Sequence, residues 1–426
     1  MPEMNRPDIK RLPKRANPMD AQKRLLEAIR SNIMPREKVS LQDAVGRVLA
    51  QEAISNINIP NYDKTFIDGY AINTSDTKGA TTTKPAVFKV VGKLFPADYP
   101  TPIEVTHGKT VYVACGAPIP KGSTATVKVE ETRLNGDQIE VIREIQPGEG
   151  IIPLGDDMKK GDLLLKRGQI IRPQDVGLLA SIGFFEAEVV KKPKIAVISG
   201  GDELIKQSQK TPKKIANNYA LVVAGLASEL GAQAEMVGIM SDSMEKVTAK
   251  IAAALTDSDV VVTIGGSSVG VKDYVPDAVN ALGKPGVIVQ GVLLRPGAIS
   301  GFGIVDGKPI VMLPGHIGSC IAGFYLFVAP LISQYLCLGG DGMLPKLTAK
   351  LAEDLETGPQ FRFQLTHLRR SNGKLLAEQV EGGSSALTTI VKSNGFTIVQ
   401  PHTKLAKGSK VEVYLFGKLE LSQLIS

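Results

Sequence analysis

Lys194-Ile195-Ala196-Val197-Ile198-Ser199 and, further on, Asp259-Val260-Val261-Val262-Thr263-Ile264 are six-residue runs, mostly apolar, each followed at once by paired glycines, Gly200-Gly201 and Gly265-Gly266. A run that short, rich in β-branched residues and ended by glycine, reads as a buried strand. Around and between them the pattern alternates: helix Asn217 to Leu230, strand Ala234 to Met240, helix Ser243 to Leu255, helix Asp273 to Leu282, then strands to Leu313. Strands alternating with helices predict a doubly wound parallel α/β domain with helices on both faces. Ligands of such a sheet sit beyond the carboxyl ends of its strands.

Outward from this centre the texture changes. Residues 18 to 48 have helical spacing (Leu25, Leu26, Ile29, then Leu41, Val45, Val48), with Ser40 and Asp43 as a start signal for a second helix. From Thr65 to Ile145 short β-branched runs divided by Gly and Pro predict a small all-β unit. Paired Gly-Asp turns then lead to an apolar helix from Pro173, as if the chain returned to its entry helices, and after Gly339 strands resume. The expected organisation is a helical linking domain (18–60 with 146–190), a small β domain (61–145), the α/β domain (191–338) and a C-terminal β domain (339–426).

Composition narrows the function. Lys and Arg exceed Asp and Glu by 50 to 43, and no basic run interleaves with aromatics, so an anionic small ligand is a better use of the excess than nucleic acid. Cys115, Cys320 and Cys337 lack any zinc-type spacing and read as reduced thiols. The N-terminal MPEMNRPDIKRLPKR has no apolar core of a signal peptide, so a cytoplasmic protein is expected. Ile317 to Leu338 is apolar enough to raise a membrane span. Pro330, Ser333 and Gln334 interrupt it, and it follows a strand and a Gly-rich turn, so it is expected to be a buried helix, with no membrane.

Three loops leave strand ends where ligands bind: Gly200-Gly201-Asp202-Glu203-Leu204, Gly265-Gly266-Ser267-Ser268-Val269-Gly270, and Pro314-Gly315-His316-Ile317-Gly318-Ser319. The second and third can converge backbone N–H groups and hydroxyls on an anion. Neither a Walker motif nor the dinucleotide GxGxxG is present in them. Asp202, Glu203 and Asp273 beside the anion loops suit a shared Mg²⁺, with helix capping the alternative for Asp273. Arg295 can grip an oxyanion through two N–H groups.

Thr65-Phe66-Ile67-Asp68-Gly69-Tyr70-Ala71 resembles the S-A-M-D-G-Y-A motif of the MoeA family, and Cys115-Gly116-Ala117-Pro118-Ile119-Pro120-Lys121-Gly122 resembles its T-G-A-P-x-P-x-G. The resemblance continues through Gly201 to Leu204, Gly265 to Gly270, Asp273-Tyr274, Pro314-Gly315, Arg362 and Gly383-Ser384, in collinear order over nearly the entire chain. It implies an elongated four-part subunit that dimerises around a shared cleft. It also implies Mg²⁺-dependent insertion of molybdate into adenylylated molybdopterin, with release of AMP. In that case Asp68, Glu203 and Asp273 take the acidic roles and Asp202, Glu203 and Asp273 the metal. The loop with Gly265, Gly266, Ser267, Ser268 and Gly270 would then hold the pterin phosphate, Arg295 and Ser384 would face the oxyanion, and Pro314, Gly315 and Arg362 would join the cofactor-binding set. The family usually carries Thr at 115, Asp at 216, Lys at 291 and 298 and Asn-Pro at 316 and 317; this chain has Cys115, Ala216, Gly291, Ala298, His316 and Ile317. The lost cations make a molybdopterin carrier with little turnover the second expectation.

Overall fold

The computed structural model describes residues 14–202, 204–205, 215–241, 243–268, 270, 273–338 and 344–416. The chain divides into two compact units, one of residues 1–50, 168–172 and 186–426, the other of 51–167 and 173–185.

In the first unit, helix α1 (Pro18–Ala28) is capped by Asn17, whose Oδ1 accepts from the N–H of Met19 at 2.9 Å. The second expected helix does not form. Arg36–Ser40 is a strand, antiparallel to Glu186–Val190, and the Ser40 to Asp43 signal caps only a single 3-10 turn. Tertiary pairing with a distant segment overrides a weak local periodicity.

The central sheet contains β1 (Lys194–Gly200), β2 (Gln233–Met240), β3 (Val260–Ile264), β4 (Pro285–Gln290), β5 (Gly301–Val305) and β6 (Lys308–Leu313), in the order β2-β1-β3-β6-β5-β4. Helices α2 (Asn218–Glu229), α3 (Met244–Asp257) and α4 (Val275–Leu282) pack on it through two cores, one on Val197, Val223 and Val262, the other on Ile198, Ile251 and Val279. β2, β1, β3 and β6 are mutually parallel, but β5 runs antiparallel to both β6 and β4. The expected parallel sheet thus holds over β2, β1, β3 and β6 and becomes mixed at β5 and β4. Asp306-Gly307 makes the reversal, both residues with positive φ (49° and 78°), which is the short-range hairpin signal of an Asp-Gly pair.

Helix α5 (Ile317–Tyr335) is the apolar segment in question, and 83% of its most apolar window is buried inside the fold. Pro330 has no N–H to offer the carbonyl of Leu326, and the helix widens to a π turn over Phe324–Val328. Gln22 of α1 donates to that carbonyl at 2.8 Å, and Gln334 of α5 donates back to Leu26 O at 2.8 Å. Two long side chains thus satisfy carbonyls that the helices leave open.

The C-terminal strands β7 (Lys346–Leu351), β8 (Phe361–Ser371), β9 (Lys374–Gln379), β10 (Gly395–Val399) and β11 (Lys410–Leu415) follow the order β8-β9-β7-β11-β10, and β10 pairs again with β8, closing a barrel. Phe363 and Phe396 reach from it onto Tyr325 of α5, so its core is continuous with the α/β core. Between them helix Leu387–Lys392, absent from the sequence reading, completes the wall.

In the second unit a six-stranded sheet runs in the order 125–128, 69–72, 109–113, 86–94, 138–141 and 132–135. Helix Pro173–Ser181 forms as expected. Arg143 donates through Nε to Glu131 (3.1 Å) and through Nη1 to Glu149 (3.2 Å), and its Nη2 bridges both carboxylates. The guanidinium, the largest influence, holds the Glu149 carboxyl below its usual range. A depressed folded-state value stabilises above the unfolded value and is lost as pH falls through the folded one. Arg143→Met should therefore remove part of the fall in melting temperature between neutral pH and the acid range; equal acid slopes in both proteins would contradict this.

Candidate functional site

Because β1, β3 and β6 are adjacent and parallel, the loops at 200–205, 265–274 and 314–319 leave one edge of the sheet. They border a cleft of about 1590 Å³ whose other wall comes from the barrel. Of the expected residues, Ser268, Arg295, Pro314, Gly315, Arg362 and Ser384 line it. Gly318 lets the two walls meet: its N–H donates to Ser384 O at 2.7 Å, and a Cβ there would stand 3.1 Å from that oxygen. A side chain at 318 would push the Ser384 loop away from the first turn of α5.

Arg295 and Arg362 are register partners, since Leu294–Arg295 pairs in parallel with the start of β8. Both side chains line the cleft, and neither forms an ion pair among the described residues. Among the described residues Arg362 Nη1 donates to a backbone carbonyl, Glu356 O, at 3.2 Å. The Glu356 carboxylate is engaged elsewhere, by Lys404 at 2.8 Å. Like charges on neighbouring strands repel, and an oxyanion between them removes that penalty.

The remaining expected residues are placed differently. Ser267 is buried, does not line the cleft, and its Oγ has no hydrogen-bond partner among the described residues. Gly265, Gly266 and Gly270 shape the loop by their backbone; Gly266 O accepts from Val275 N–H at 3.0 Å. Asp273 caps no helix: Tyr274 stands at the start of α4, while Asp273 Oδ2 accepts from Gly270 N–H at 2.6 Å and ties the loop shut. Asp202 is exposed in the turn after β1, and Glu203 lies outside the described residues. Among the described residues no three His, Cys, Asp or Glu side chains come together as a metal site. Ala298 lines the cleft; Gly291 is buried and does not.

In the second unit, two segments that resemble family motifs meet, with Asp68 Oδ1 accepting from the Cys115 N–H at 3.1 Å. Burial first, then the Asp68 charge, raises the Tyr112 phenol above its usual range. Cys115 is exposed, whereas burial pushes the Cys320 thiol up to about 12 and leaves it inert.

Sequence reasoning missed Ser199, Asn217 and Gln364, which line the cleft as buried polar groups. Ser199 Oγ donates to Asn217 Oδ1 at 2.7 Å. A polar residue at the end of an apolar strand run was the available signal for Ser199; Gln364 had none beyond its alternation with Phe361 and Phe363.

Three family descriptions match in order along the chain: the MoeA N-terminal region (domain I and II) over residues 17–183, a "probable molybdopterin binding domain" over 196–334, and the MoeA C-terminal region (domain IV) over 348–416. The molybdopterin molybdenumtransferase of Bacillus subtilis is 32% identical over 387 residues, 89% of each chain. That of Staphylococcus aureus strain COL is 32% identical over 333 residues, 78% of each chain. The crystal structure of a molybdopterin biosynthesis protein, moea, from Pyrococcus horikosii superposes with a TM-score of 0.83 at 29% identity, over 95% of this chain and 100% of that one.

Proposed function

Because the chain belongs to the MoeA family of molybdopterin molybdenumtransferases, transferases of molybdenum cofactor biosynthesis, we propose that it inserts molybdate into adenylylated molybdopterin and releases AMP. The observation that carries this reading is the register pair Arg295 and Arg362, two cations in one cleft with no ion pair among the described residues, beside loops rich in N–H groups. The arginines take the tetrahedral oxyanion and the loops at Ser268 and Gly315 a phosphorylated pterin. A Mg²⁺ requirement belongs to the same reading and rests on the donor chemistry of Asp202, Glu203 and Asp273. So do a cytoplasmic homodimer that completes its cleft with a partner subunit, and the four-domain division given by the sequence. Incubation with adenylylated molybdopterin, molybdate and Mg²⁺, following AMP, tests it: no release above the rate without protein would overturn the reaction.

Asp68→Asn retains an acceptor for the Cys115 N–H but loses the charge. We expect it to abolish AMP release with an unchanged melting temperature; full activity would remove Asp68 from the reaction.

A carrier with little turnover is the second reading, favoured by Ala298, which puts a methyl group on the cleft wall where the family resemblance implies a lysine. Ala298→Lys should tighten molybdopterin binding, more at low salt because exposed charges are screened over about 10 Å at 0.1 M. A working enzyme should keep its AMP release within a few-fold, while a carrier should gain turnover. Unchanged affinity at both salts would mean that position 298 does not face the ligand. Gly291 offers no such test, because its φ of +91° and the Ala298 O at 3.2 Å from a Cβ oppose any side chain.

A further inference from the structure

Gln364 lies two residues beyond Arg362 on β8, so the two side chains leave the same face of the strand, and both line the cleft. Only 5% of Gln364 is exposed. Its Nε2 donates to Leu365 O at 2.8 Å and to Val380 O at 3.4 Å. An amide whose N–H groups are held by two carbonyls has its orientation fixed, and the atom left for a cleft occupant is Oε1. Among the described residues Oε1 accepts no hydrogen bond, so it is open to an occupant with an N–H.

The neighbouring segment carries a second acceptor. Val380 N–H donates to Leu365 O at 2.9 Å, holding the next residue, Glu381, on the same wall, where it lines the cleft. A carboxylate and an amide oxygen repel an oxyanion and match N–H donors. The cleft therefore has a cationic end at Arg295 and Arg362 and an acceptor end at Gln364 and Glu381. Along β8 the two ends are offset by about 7 Å, two residues of strand rise.

We propose that Gln364, with Glu381 beside it, reads the N–H edge of the pterin's pyrimidinone ring and so orients the ligand with its anionic end on the arginine pair. The inference rests on the molybdopterin reading above and adds which atoms recognise the ring. It makes Gln364 a specificity residue without a bond-making role.

The test uses the full chain, with 6-hydroxymethylpterin and its 2-deamino counterpart as ring probes and molybdate alone as the anion probe, alongside anaerobic titration of molybdopterin. The unaltered chain should prefer the aminopterin by about fivefold to tenfold, the range for one net hydrogen bond. Gln364→Met should lose that preference and keep its molybdate affinity. Glu381→Gln, an exposed change that leaves the Gln364 anchors in place, should reduce the preference too. An undiminished preference in both variants overturns the inference while molybdopterin binding and AMP release stand. A parallel loss of molybdate affinity in Gln364→Met, with Glu381→Gln unaffected, also overturns it, because Gln364 would then only hold the wall in shape. Failure of the unaltered chain to bind molybdopterin would instead bring down the functional reading, and this inference with it.

Discussion

Arg295→Ala is expected to weaken molybdate binding by about one to two orders of magnitude, since hydrogen bonds to a charged group contribute roughly 1.5 to 3 kcal/mol each. Arg295 is exposed, so screening by solvent puts the loss nearer the lower figure at physiological salt and nearer the higher at low salt. Arg295→Lys should fall between, because an ammonium retains the charge without the planar fork that two oxyanion oxygens need. The effect should appear in affinity with little change in melting temperature, as the side chain has no ion pair among the described residues to lose. Removing one of two facing cations even relieves repulsion with Arg362 in the empty cleft. Calorimetric titration with molybdate at two ionic strengths decides it: equal affinities for Arg295→Ala and the unaltered chain would place the oxyanion elsewhere.

Gly69→Ala should be the most damaging change to the fold of the second unit. Gly69 lies in the strand 69–72, which is paired on both sides, to 109–113 and to 125–128, so it has no edge toward which to move. A Cβ at 69 would stand 2.0 Å from Val127 O and 2.9 Å from its carbonyl carbon, both backbone atoms of a paired strand. Separating those strands costs ladder hydrogen bonds as well as packing, and we expect a destabilisation above about 4 kcal/mol, beyond ordinary overpacking. Gly92→Ala in the same sheet is the control. Its Cβ would meet only the end of the Ile103 side chain, at 3.2 Å, and should cost less than about 1 kcal/mol. Limited proteolysis combined with scanning calorimetry separates the two variants by the melting temperature and by cleavage within residues 51–167. A Gly69→Ala protein melting like Gly92→Ala would show that the strands separate at little cost. Gly69 follows Asp68 directly, so this glycine is needed by the strand whatever Asp68 does in the reaction.

The sequence by itself determined the elements whose signals are local. Runs such as Lys194 to Ser199 and Asp259 to Ile264 formed strands as expected, because a short, mostly apolar stretch ended by glycine has few other ways to bury itself. Their adjacency and parallel direction put the three loops on one sheet edge, and Pro330 with Gln334 marked the long apolar helix as one built into a protein core. The family resemblance added Asp68, Arg362 and Ser384, which no spacing argument would have selected. Tertiary structure alone decided the rest. Arg36–Ser40 became a strand because its partner, Glu186–Val190, supplies a ladder that local propensity does not encode. Ser267 is buried away from the cleft while Ser268 lines it, a choice that two identical side chains do not reveal. Arg295 and Arg362 became neighbours only when a two-residue strand joined the barrel, and Gln364 became an acceptor only when two carbonyls claimed its N–H groups. A hydrogen bond needs its partner within about 3 Å, and for these residues the partner comes from chain that is distant in sequence or from backbone that only the folded barrel sets in place.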